Sequence, residues 1–194
     1  MDESIESVYL RELIRQCEYA IGAVQKANEA LSNQNPSEFF REAGDFLQHS
    51  SAVSRMLWPP GGINRQKKKK ARQRGDHLRA QLSVQEGHVL QNRKLRDHFE
   101  HFDERLDEWA EASPNKIIVD NMVGPRKAIA GDAIKDEDIM RMYDPTNKEI
   151  VFRGEKFNVQ TLVDGINDIQ AKGVARLGAI EVNKRLQRIG YAGR

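Results

Sequence analysis

Between Lys94 and Trp109 the chain reads KLRDHFEHFDERLDEW. Two histidines and two arginines fall within about four helical turns. Histidine changes charge near neutral pH, so it can take or give a proton. Arginine presents a rigid fork of donors that fits phosphate oxygens. Together they suit a reaction on RNA that has no chemical need of a metal. The 2′-hydroxyl attacks the adjacent phosphate, leaving a cyclic phosphate and a free 5′-hydroxyl. Histidine would move the protons, and arginine would meet the charge that builds on the phosphorane.

A helix must position these groups. Leu95, Phe99, Phe102, Leu106 and Trp109 recur at alternating intervals of 4 and 3 residues, which is one apolar stripe on a helix from about Val89 to Ala112. The stripe predicts these five as core. Arg96, Glu100, Asp103 and Asp107 then fall on one flank, and His98, His101 and Arg105 on the other. Asp97, Glu104 and Glu108 point outward. Asp97 and Arg105 each lie within reach of His101 at i,i+4 spacing. Arg96 and His101 stand about 140° apart on a regular helix, so a catalytic pair would need a second copy of this helix across a groove. A solvated, ion-paired flank remains the plainer reading of the same charges.

Other chemistries have less support. A di-iron bundle needs Glu-x-x-His, and no histidine here has Glu three residues before it. His98, His101 and Asp103 have ligand chemistry but no placed further ligand. The chain contains no phosphate-binding Gly-rich loop, no dinucleotide fingerprint and no Gly-x-Ser-x-Gly. Cys17, the single cysteine, excludes an intramolecular disulfide and reads as a small core residue. Neither metal nor cofactor is expected.

Around this helix the pattern is mostly helical. Residues 3–32 carry Ile5, Val8, Leu13, Cys17, Ala20, Ile21, Val24, Ala27 and Leu31 at roughly helical spacing, and NQNPSE stops them. Ser37 is the expected cap of a second helix that WPPGG ends. Its core candidates include Phe39, Phe40, Phe46, Val53 and Leu57. A short helix is expected at DHLRAQLS. After SPN the texture changes: KIIVDNMV reads as a strand, and Ile139–Tyr143 with Glu149–Phe152 as a hairpin about the turn DPTN. A last helix is expected from Gln160 to Ile189, with Ile166, Ile169, Val174, Ile180, Val182 and Leu186 among its apolar positions.

The 194 residues carry 31 Lys and Arg against 29 Asp and Glu, a net charge of +2. Attraction to nucleic acid must therefore be local. Residues 61–75 offer it: Arg65, Lys67, Lys68, Lys69, Lys70, Arg72 and Arg74 occur with no acidic residue among them. They are expected to form a basic loop that grips a phosphate backbone without reading sequence; a merely solvated loop is the alternative. No apolar face accompanies the charges, which argues against a membrane surface. The start, MDESIESVYLREL, lacks the pattern of a signal peptide, and no apolar run has membrane-spanning length. A cytoplasmic protein is expected.

RDHFEH, Arg96 to His101, resembles the Arg-x4–6-His motif of the HEPN superfamily (higher eukaryote and prokaryote nucleotide-binding), in which a polar residue follows the arginine, as Asp97 does here. The resemblance implies an all-α bundle, a homodimer, and cleavage of RNA without metal. It assigns Arg96 and His101 as the catalytic pair, with Asp97 orienting them. Many members are toxins or phage-defence effectors, so an antitoxin or other protein partner is implied too. Asp103 stands where some members carry a nucleotidylated tyrosine, so that control is not expected here. Glu100, Asp103, Glu104, Asp107 and Glu108 crowd the same helix and would repel phosphate.

These readings combine into one domain over residues 1–194. It is mainly α: a helical bundle with a basic loop at 61–75 and a small antiparallel hairpin or three-stranded insertion at 116–154, before the last long helix. Its expected function is that of a metal-independent endoribonuclease. A non-catalytic helical module that binds RNA or protein stays open beside it, as does an unrelated bundle whose helix is simply amphipathic.

Overall fold

The computed structural model describes residues 1–60, 64–114, 116–128 and 134–190. Among them run six α-helices: α1 (Glu3–Ser32), α2 (Pro36–Leu57), α3 (Arg65–Gln81), α4 (Lys94–Glu100), α5 (Phe102–Ala112) and α6 (Val159–Arg188). Four short strands precede α6: β1 (Met122–Val123), β2 (Met142–Asp144), β3 (Glu149–Phe152) and β4 (Glu155–Asn158). The chain is mainly α with a small sheet before its last long helix. It divides into two compact units. One comprises Met1–Ile21, His49–Asn92 and Gly165–Arg194; the other comprises Gly22–Gln48 and Arg93–Asp164.

Local chemistry sets the helix ends. Asp2 accepts the Ser4 amide at 2.6 Å and starts α1. Gln34, at φ +52°, takes the left-handed turn that ends it. The cap of α2 is Asn35 rather than the expected Ser37: its Oδ1 accepts the Glu38 amide at 3.2 Å. Pro36 then fills the first helical position, where a missing N–H costs nothing. Asn158 caps α6 in the same way, accepting the Thr161 amide at 3.0 Å.

The basic segment is a helix, not the expected loop. Asn64 accepts the amides of Gln66 and Lys67, each at 3.1 Å. Lys, Gln and Arg are good helix formers, so α3 runs without interruption into the residues expected to form a separate short helix. Gly61, Gly62 and Ile63 of the expected loop lie outside the described residues.

The helix expected over 89–112 is also different. A 3₁₀ turn covers Val89–Gln91, and the rest is broken at His101 (φ −103°, ψ 40°) into α4 and α5. No proline or glycine sits at the break. Its setting is Phe152 of β3, which is fully buried. His98 stacks on that ring at 4.6 Å, while Phe99 and Phe102 meet it at 6.4 and 6.2 Å. Arg141 caps the group, its guanidinium 4.2 Å over the Phe102 ring and clamped by both oxygens of Asp120. Of the expected stripe only Leu95 is buried; Phe99, Phe102, Leu106 and Trp109 are half-buried.

The sheet order is β1-β2-β3-β4. The second hairpin arm, Glu149–Phe152, is where the sequence placed it, whereas the first arm is Met142–Asp144 rather than Ile139–Tyr143, with Met142 opposite Val151 and Asp144 opposite Glu149. Two features differ. β4 adds a strand through a second tight turn, with Arg153 at φ +46° and Gly154 at φ +81°. KIIVDNMV contributes only two strand residues and a bridge from Val119 to Ile139, both parallel to their partners. The sheet is therefore mixed rather than antiparallel. Ile139, Met142 and Val151 form its buried face.

In the first unit Leu10, Leu13, Cys17 and Ala20 of α1 are buried, as are Ile166, Ile169 and Ile180 of α6. Ile5 and Val8 of α1, and Val174, Val182 and Leu186 of α6, are exposed although they follow helical spacing. The buried register of α1 continues back through Glu6, not through Ile5.

Candidate functional site

Arg96 and Asp97 are in direct contact. The Arg96 side chain, 20% exposed, places Nη1 2.5 Å from Asp97 Oδ1, and Nη2 pairs with Glu100 one turn on. The cation is thus already met by two carboxylates. His101 is the residue at which the helix breaks. Its side chain is 48% exposed, and Nδ1 lies 3.3 Å from Glu104 Oε1. The expected partners of His101 are engaged elsewhere: Asp97 with Arg96, and Arg105 with Glu108. Among the described residues no hydrogen bond or ion pair joins Arg96 to His101. The structure brings the side chains of Arg96 and Asp97 together and gives the His101 side chain Glu104 as its partner instead.

His98 has the opposite environment. It lies half-buried between Phe152 and Phe157, and its two ring nitrogens are buried without a hydrogen-bond partner. Burial pushes its pKa down, and Glu155, 3.7 Å from Nε2, only partly offsets this. Burial therefore favours the neutral form of this ring, which packs as an aromatic. No cluster of three or more metal-ligating side chains occurs among the described residues. Cys17 is fully buried, and burial raises its thiol to about 12.

The seven cations of the basic segment separate into two kinds. Arg74 is a packing residue: Nη2 donates to the Arg55 carbonyl at 3.3 Å, and its guanidinium lies 5.5 Å from the centre of the Tyr9 ring. Arg65, Lys67, Lys69, Lys70 and Arg72 are exposed, and Lys68 is half-buried. Among the described residues none of these six has a carboxylate within ion-pair distance. From Arg65 to Arg72 the helix rises about 10 Å, an axial length over which one strand of a B-form duplex presents roughly three phosphates, at about 3.4 Å of axis each. Arg65, Lys67 and Lys68 also crowd the first turn, where the helix dipole is already positive. That charge is unfavourable for an isolated helix and favourable for one that meets an anion.

One constellation has no obvious motif. Glu6, 1% exposed, accepts His77 Nε2 at 2.9 Å, Arg176 Nε at 2.6 Å and Arg176 Nη2 at 3.3 Å. Burial by itself would raise the Glu6 carboxyl. The hydrogen bonds and charges of Arg176 and His77 outweigh it and hold the group below the ordinary carboxylate value. The signal available in sequence was register: Glu6 precedes Leu10, Leu13 and Cys17 on the buried stripe, where a carboxylate needs partners.

No family model, no curated protein and no solved structure matches the chain. No described helix is long and apolar enough to cross a membrane.

Proposed function

We propose that this chain binds RNA through the phosphate backbone, using the first turns of α3, as a non-catalytic helical module. The observation that carries this reading is the exposed set Arg65, Lys67, Lys69, Lys70 and Arg72 without carboxylate partners. A helix of cations with no aromatic interleaved grips charge and shape rather than base identity. The test is fluorescence anisotropy with a labelled single-stranded RNA between 50 and 200 mM salt, roughly the range over which such contacts weaken steeply. Replacing Lys67, Lys69 and Lys70 by Gln should lower affinity and flatten the log–log salt slope by about 2, at about 0.7 per lost contact. Equal affinity and slope in variant and wild type would remove α3 from the interface.

A second reading, the metal-independent endoribonuclease, is favoured by the Arg96–Asp97 contact and the exposed imidazole of His101. In it a second copy of the chain supplies the missing half of the pair, and a toxin or phage-defence role would follow. Cleavage of RNA in EDTA, lost in both Arg96→Ala and His101→Ala with folding intact, is its signature. Absence of cleavage by the wild type leaves binding alone.

A further inference from the structure

The second unit holds a pocket of about 260 Å³ bounded by α1, α2, the sheet and the start of α6. Phe39, Phe46 and Ile150 form buried apolar walls, and the Tyr143 ring lies 4.6 Å from that of Phe39. Such a volume exceeds the roughly 150 Å³ that holds benzene and, at the same filling, takes about ten non-hydrogen atoms. Polar side chains are few on the lining: Asn28, Lys148, Gln160 and, through its hydroxyl, Tyr143.

Lys148 gives the pocket its charge. It sits at φ +54°, directly after the DPTN turn. The turn is tied internally, with Asp144 accepting from the Thr146 amide at 2.9 Å and from Asn147 Nδ2 at 2.8 Å. The Lys148 carbonyl accepts the Val159 amide at 2.9 Å. The left-handed residue is therefore held from both sides. Its Nζ donates to Gln160 Oε1 at 3.0 Å, and Gln160 Nε2 donates in turn to Asp164 at 2.9 Å. The amide chain orients the ammonium without neutralising it. Among the described residues no carboxylate pairs with Lys148, and an ammonium has donors to spare beyond the one Gln160 uses.

We propose that this pocket binds a small apolar monocarboxylate, its hydrocarbon or aromatic body against Phe39, Phe46 and Tyr143 and its carboxylate on Lys148. An apolar hollow with one oriented cation selects a molecule that is apolar at one end and singly anionic at the other. A phosphate ester would ask for more donors than the rim supplies, and a cation would meet Lys148 with like charge. Tyr143 keeps its hydroxyl proton, because burial raises its pKa, so it adds no negative charge to the lining.

The test is calorimetric titration of the full chain with 3-phenylpropanoate, with 3-phenylpropan-1-ol as its neutral counterpart. The expected dissociation constant for the carboxylate is below about 1 mM, and the alcohol binds about tenfold more weakly. Lys148→Met, at an exposed position, should weaken the carboxylate about tenfold and leave the alcohol unchanged. Three results would overturn the proposal: no saturable binding of the carboxylate up to about 10 mM, equal affinity for carboxylate and alcohol in the wild type, or undiminished carboxylate binding by Lys148→Met.

Discussion

Removing Glu6 should unfold the first unit more than any exposed charge change. The carboxylate is buried and joined by three hydrogen bonds to His77 and Arg176. Deleting one partner of a fully buried ion pair costs about 3–5 kcal/mol, because the other charge is left without a counter-ion. Here the side chains of His77 and Arg176 are 23% and 25% exposed, so water recovers part of that loss. The expected cost of Glu6→Ala is about 2–3 kcal/mol. Glu6→Gln keeps the volume and one acceptor, and should cost about half as much. Trp58 and Trp109, the two tryptophans, lie in different units. A Trp109→Phe background therefore makes Trp58 fluorescence a probe of the first unit during urea unfolding. With a slope of about 2 kcal/mol per molar urea, the Glu6→Ala midpoint at pH 7 should fall by about 1–1.5 M. The pH dependence has a definite sign. The folded Glu6 carboxyl lies below its ordinary value of 4.5, so its stabilisation is complete above that value and fades as pH falls through the folded pKa. The Glu6→Gln and background curves should therefore converge in acid. A Glu6→Ala midpoint at pH 7 within about 0.2 M of the background would show that the cluster adds nothing, and the reasoning would fail.

Two further outcomes follow from the same contacts. Gly75 lies in α3 where a Cβ would stand 2.5 Å from the Leu57 carbonyl oxygen and 2.8 Å from Pro59 Cδ; Gly75→Ala should destabilise by about 1–3 kcal/mol in urea unfolding despite its better helix propensity. His98 has a folded pKa below its ordinary 6.5, so protonation favours the unfolded chain as pH drops below that value. Glu155, Lys94 and Arg105 are the charged groups acting on it. His98→Phe preserves a ring against Phe152 and should make the loss of stability between pH 7 and pH 5 shallower, which urea midpoints at the two pH values would reveal; an unchanged loss would refute it.

Helices α1, α2 and α6 were legible to within a residue or so, and β3 and the DPTN turn likewise. Their signals are local: Asp2, Asn35 and Asn158 cap helices, and apolar residues keep one period. The helicity of Arg65–Lys70 was not legible as amphipathic pattern, because apolar register returns only near Leu78; intrinsic propensity and the Asn64 cap form it. The break at His101 had no local signal, since its setting is packing around Phe152, some fifty residues on. β4 and the parallel β1 depend on pairings between distant residues, which periodicity does not encode.

The candidate site divides along the same line. Residue type and spacing singled out Arg96, Asp97, His101 and the basic segment, but the i,i+4 partners expected for His101 pair elsewhere, and it is Arg96 that meets Glu100 one turn on. Whether a polar side chain is paired, buried or free depends on what the rest of the chain sets against it. Sequence could not show that His98 stacks on Phe152, that Arg74 is a packing cation, or that Glu6 meets Arg176 from 170 positions away. The chain's own local physics determined helices, caps, the turn and the stock of reactive groups. The tertiary structure alone decided which of those groups remain available, because burial and counter-charge come from residues remote in sequence and adjacent in space.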